Sequence, residues 1–112
     1  MLILFSGPPG CGKSSLATAL ARRQSFPLFS RDRTQRFLFQ RGLIQSNTVD
    51  GYYWLLEEAE AQLSLGVSCI LDGVFPRQEF RIHAESIARQ HSVPFVPVFC
   101  HCSDLMIWQQ RW

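Results

Sequence analysis

Gly7-Pro8-Pro9-Gly10-Cys11-Gly12-Lys13-Ser14 follows the pattern G-x-x-x-x-G-K-[ST], and Lys13 is the only lysine in the chain. Every other basic residue is arginine. The glycines leave backbone N–H groups free to converge on phosphate oxygens. A compact ammonium at Lys13 can reach between phosphates, and the Ser14 hydroxyl is placed to ligate Mg²⁺. Before the motif, residues 1–5 form a short apolar run that predicts a buried parallel strand. After it, residues 15–23 are rich in helix formers and end in Arg22 and Arg23, as a helix C-terminus prefers. The motif thus links a strand to a helix whose N-terminal dipole adds to an anion site. Gly7, Pro8, Pro9, Gly10, Cys11, Gly12, Lys13, Ser14 and Ser15 are the candidate nucleotide-binding residues.

The chain has 112 residues, the size of one small domain. Its hydrophobic fraction of 46% is that of a globular protein, and its net charge of +2 is too small to indicate nucleic acid or a membrane surface. No apolar run reaches the ~18 residues of a membrane span. Met1 leads directly into the first strand, with no basic leader, so a cytoplasmic protein is expected. Of the four cysteines, Cys100 and Cys102 flank His101, but a second ligand pair is missing. Reduced thiols are therefore expected over a zinc site. Cys11 lies among converging amides, a setting that lowers a thiol pKa.

Strand and helix alternate through the rest. Strands are predicted at 27–30, 67–72 and 95–100. Helices are predicted at 33–41, closed by Gly42, from an Asn47-Thr48 cap to about Leu65, and at 77–90. A last helix follows Ser103. Val49, Tyr52, Leu56, Ala59 and Leu63 make an apolar stripe on the 47–65 helix, with Glu57, Glu58 and Glu60 mostly off it. Phe80, Ala84 and Ile87 point inward on the next helix. Pro97 suits an edge strand or a bulge. The alternation implies an α/β fold with parallel strands.

Parallel strands bring their carboxyl ends to one crevice. The motif, Ser30-Arg31-Asp32 and Leu71-Asp72-Gly73 all end there. An acid closing a buried strand needs a partner, and Asp72 would hold Mg²⁺ with Ser14 or cap the Asp-Gly turn. Asp32 would accept the proton of an acceptor hydroxyl or cap the 33–41 helix. Among the arginines, Arg77 follows the Asp72 loop directly and is the candidate to steady transferred charge, while solvation is the default for Arg31, Arg33, Arg36, Arg41 and Arg81.

These stretches resemble the small phosphate-loop kinases, most closely the ATP-binding predicted-kinase family that includes polynucleotide kinases, zeta-toxin-like and chloramphenicol phosphotransferases. The likeness runs through residues 7–15, Ser30-Arg31-Asp32 with Arg36, the 55–59 and 65–72 segments, and 81–95. It implies a three-layer P-loop NTPase fold with strand order 2-3-1-4, helices on both faces, and a fifth strand beyond this chain. It also implies Mg-ATP as cofactor and γ-phosphoryl transfer to a hydroxyl acceptor. Lys13, Asp32 and Arg77 would be catalytic, with Ser14 and Asp72 on the metal. The resemblance places an arginine-bearing lid after strand four, but the chain stops at Gln110-Arg111-Trp112. Residues 1–112 are therefore expected to be a kinase domain incomplete at its C-terminus, or else one without a lid. Polynucleotide kinases carry an arginine where Gln35 stands, so nucleic acid is possible as acceptor but not favoured. Asp72-Gly73-Val74-Phe75-Pro76-Arg77 is similar to an adenylate-kinase loop with one extra residue. The alternatives are an ATPase or switch without an acceptor, and an adenylate-kinase-like nucleotide kinase.

Overall fold

The protein is described by a computed structural model over residues 1–8, 12–43, 50–75 and 78–100. The apolar run Leu2-Ile3-Leu4-Phe5 with Ser6 forms β1 (Leu2–Ser6), buried at every position. Helix α1 (Lys13–Gln24) follows the phosphate motif, then β2 (Leu28–Ser30), α2 (Arg31–Gln40), α3 (Asp50–Ser64), β3 (Cys69–Asp72), α4 (Gln78–Gln90) and β4 (Phe95–Phe99). The four strands make one parallel sheet in the order β2-β3-β1-β4. This is the α/β architecture and strand order expected.

Side-chain alternation divides the core. Leu2, Leu4, Cys69 and Leu71 face one side, packed with Leu55, Leu56 and Ala59 of α3 and Phe80, Ala84 and Ile87 of α4. Ile3, Phe5 and Ile70 face the other, against Ala17 of α1. Helices therefore cover both faces, which is why β1 and β3 read as continuous apolar runs. The α3 stripe is buried at Tyr52, Leu56, Ala59 and Leu63, joined by Leu55, which is fully buried although outside the stripe read from sequence. Val49 and the Asn47-Thr48 cap lie outside the described residues, as does the helix predicted after Ser103. Glu57 and Glu58 are exposed and Glu60 half-buried.

Pro97 sits opposite Leu4 on β4, the outermost strand among the described residues, a position that tolerates a missing N–H. Gly42 and Gly66, which follow α2 and α3, both have positive φ, the backbone that ends a helix without a Cβ clash.

Two boundaries correct the reading from sequence. Helix α1 begins at Lys13 and not Ser15, so the motif's lysine and serine belong to its first turn. Helix α2 begins at Arg31, immediately after β2, two residues before the expected start. Ser30 is extended and takes the N-cap position. Asp32 is thus neither the tip of a strand nor a helix cap. It is an acid in the first helical turn, where the helix dipole favours negative charge.

Candidate nucleotide-binding site

The motif turns on Gly7. Its φ is +138°, and a Cβ there would overlap the carbonyl oxygen of Cys100. The Cys100 N–H donates to the Ser6 carbonyl at 2.9 Å, so the end of β4 presses against the start of the loop. Gly12, in the left-handed region, is the N-cap of α1, and no side chain caps that helix. Its first turn holds no acid. The leading N–H groups are thus left for an anion, as expected of a phosphate site. Pro9, Gly10 and Cys11 lie outside the described residues.

Asp72 is the hub. It ends β3 between its partners Phe5 of β1 and Ser30 of β2, and is 4% exposed. Lys13 Nζ donates to Asp72 Oδ1 at 2.7 Å, and Ser14 Oγ donates to Oδ2 at 3.0 Å. Lys13 is itself 8% exposed. A nearly buried carboxylate is tolerable because each oxygen has a donor and one donor is a full charge. The same geometry sets two hard oxygen donors, Ser14 Oγ and Asp72 Oδ2, side by side. That donor set fits Mg²⁺.

A cavity of about 200 Å³ opens beside this hub, lined by Ser14, Thr18, Leu28, Ser30, Asp32, Arg33, Arg36 and Asp72. Three residues singled out from the sequence, Ser14, Asp32 and Asp72, therefore meet in one space. Asp32 is largely exposed, and Arg31 Nη1 approaches its Oδ1 at 3.4 Å. Arg33 and Arg36, one helical turn apart, bring positive charge to the cavity, which an anionic ligand needs. Ser15 is exposed on α1. Arg77 lies outside the described residues.

Arg81 has another use: its Nη1 donates to the Phe75 carbonyl at 2.6 Å. The Phe75 N–H donates to Tyr52 Oη at 2.9 Å, and the Phe75 ring lies 4.8 Å from the Tyr52 ring. The guanidinium of Arg31 sits 5.1 Å over the same ring. Tyr52 thereby ties the loop after Asp72 to the start of α2. Periodicity placed Tyr52 among core residues and carried no sign of this link. Thr18 was also missed; its only signal was its place on the motif helix, whereas Ser30, read as a strand end at the crevice, does line the cavity.

Among the described residues, no three His, Cys, Asp or Glu side chains gather around a common point. Cys69 and Cys100 are free, and burial raises the Cys69 thiol pKa to about 11. Cys11 and Cys102 lie outside the described residues.

A phosphate motif between β1 and α1, a Lys–Asp–Ser hub and the β2-β3-β1-β4 order define a P-loop α/β protein. The chain belongs to the AAA domain family AAA_33, whose profile matches residues 2–111. It is similar in structure to a Chloroflexus aurantiacus j-10-fl protein assigned as a kinase, with TM-score 0.77 and 21% identity over 98% of this chain and 66% of that one. It is also similar to the APS kinase CysC of Mycobacterium tuberculosis in complex with AMPPNP and APS, at TM-score 0.66 and 19% identity, covering 93% and 66% of the two chains. For a gluconokinase of Sinorhizobium meliloti 1021 the values are 0.62, 19%, 96% and 61%. The chain thus spans about two thirds of the length of the solved structures it matches. No curated protein sequence matches it. Among the described residues, no helix is long and apolar enough to cross a membrane.

Proposed function

We propose that this domain transfers the γ-phosphoryl group of Mg-ATP to a hydroxyl group. The observation that carries the reading is the position of Asp32 in the cavity that also holds Ser14 and Asp72. Loop amides and Lys13 would bind the β- and γ-phosphates, and Ser14 and Asp72 would hold Mg²⁺. The metal would neutralise charge building on the phosphate oxygens. Asp32 would orient the acceptor hydroxyl and accept its proton. Arg33 and Arg36 line the same cavity and would balance negative charge brought there by the phosphates. Arg77 is proposed to steady the transferred group.

Turnover of labelled ATP against a panel of hydroxylated compounds tests this. Transfer to at least one acceptor, with little phosphate released in its absence, supports the proposal. A second reading has one observation in its favour: the Asp32 side chain is 76% exposed, so water also reaches it. Phosphate release that no acceptor alters would make the protein an ATPase. The cytoplasm is the proposed compartment, since ATP is the proposed donor.

A further inference from the structure

A second cavity, of about 310 Å³, lies on another flank of α2, between that helix, β2 and α3. Its walls are Phe29, Phe37, Leu38 and Trp54, and its polar lining is Arg33, Thr34 and Glu58. It shares Arg33 with the cavity beside Asp32, but its other lining residues have no part in the proposed phosphoryl transfer. The geometry points to a binding site for a small planar aromatic anion, of the size and charge of a substituted benzoate.

Three observations converge on that class. The volume sits at the low end of ligand pockets, enough for about one ring and its substituents. Three of the four apolar walls are aromatic, so a flat ring gains stacking and edge contacts, whereas a polyol has more hydroxyls to desolvate than the three polar lining side chains can serve. Arg33 and Glu58 balance within the lining, and Arg41, stacked on the Phe37 wall, tips the charge around the groove to positive. Arg33 lines it, and the Arg41 guanidinium lies 4.6 Å from the centroid of the Phe37 ring. Glu58 is the one acid opposing them. Guanidinium groups pair with a carboxylate in a planar, two-pronged geometry, so the ring and its charged group suit the same site.

Trp54 gives a readout that needs neither nucleotide nor turnover, so this inference and the kinase reading fail separately. In a Trp108→Phe/Trp112→Phe protein, Trp54 is the sole tryptophan. Titration with 4-nitrobenzoate should quench its emission saturably, 4-nitrobenzyl alcohol more weakly, and sorbitol not at all. Arg33→Gln should weaken 4-nitrobenzoate by about tenfold, the worth of one charged hydrogen bond, without changing the neutral compound. Glu58→Gln should tighten 4-nitrobenzoate. Phe37 is half exposed, so Phe37→Ala should fold and weaken both aromatic compounds. Unsaturable quenching overturns the inference, as does equal binding of the acid and the alcohol, or binding indifferent to Phe37→Ala. So does emission that no ligand changes, which would mean the chain itself covers the groove.

Discussion

Lys13 and Asp72 form a nearly buried ion pair, 2.7 Å from Nζ to Oδ1, across 59 residues of sequence. Ser14, next to Lys13, satisfies the other carboxylate oxygen. The pair joins the first turn of α1 to the end of β3, so the groups proposed to bind phosphate and metal also hold the sheet edge together.

Removing one partner should therefore cost stability as well as binding. Lys13→Met leaves Asp72 buried with its charge uncompensated and should lower unfolding free energy by about 3 kcal/mol. The double variant Lys13→Met/Asp72→Asn should recover most of that loss while binding Mg-ATP no better. Urea unfolding and isothermal titration on the three variants separate the two effects. If Lys13→Met keeps full affinity for Mg-ATP, the proposed phosphate site is wrong.

Asp32 should behave in the opposite way. It is exposed and its ion pair with Arg31 is long, so Asp32→Asn should change stability by less than about 0.5 kcal/mol. Turnover should fall by about 100-fold or more if it acts on the acceptor, with affinity for Mg-ATP nearly unchanged. Unaltered transfer rates would remove Asp32 from the mechanism.

Gly7→Ala should destabilise the fold. The added methyl would meet the Cys100 carbonyl in a backbone conformation that L side chains rarely adopt. A cost of about 1–3 kcal/mol is expected, which is roughly a 4–20 °C fall in Tm for a chain of this size. A thermal scan showing no shift would mean the β4 end does not press on the loop.

Tyr52→Phe keeps the ring over Phe75 and under Arg31 but strips the acceptor from the buried Phe75 N–H. The loss should be about 1–3 kcal/mol. Hydrogen exchange at the Phe75 amide should speed up more than at α1 amides.

Stability should also fall in alkali through Cys69. Its folded pKa, about 11, exceeds the 9.0 of an unperturbed thiol because burial disfavours the thiolate. The unfolded chain therefore gives up its proton first, and stability present below pH 9 is lost as pH rises from 9 toward 11. Urea midpoints at pH 8 and pH 10 should differ less in Cys69→Ala than in the parent.

The motif, the strand–helix alternation and the acid at position 72 were legible because each is local: a glycine pattern, a period, a charge ending an apolar run. Misread boundaries have a local cause too. Ser30 is an N-cap residue type but sits at the end of an apolar run and was read as strand, and Lys13-Ser14 looked like loop because the motif precedes the apolar period. The Tyr52–Phe75–Arg31 link was not legible, since a tyrosine on an apolar stripe looks like any core residue until another segment brings an N–H to its hydroxyl.

By itself, the order of residues determined that a phosphate-loop motif sits between β1 and α1, because its glycines and one lysine are read locally. It also determined the alternating α/β class, through the spacing of apolar side chains. Only the tertiary structure decided that Asp72 meets both Lys13 and Ser14, that Asp32 joins them from a helix, and that α2 carries a cavity on each flank. Those relations depend on which strands become neighbours, and strand pairing is settled by long-range packing of two sheet faces against helices distant in the chain.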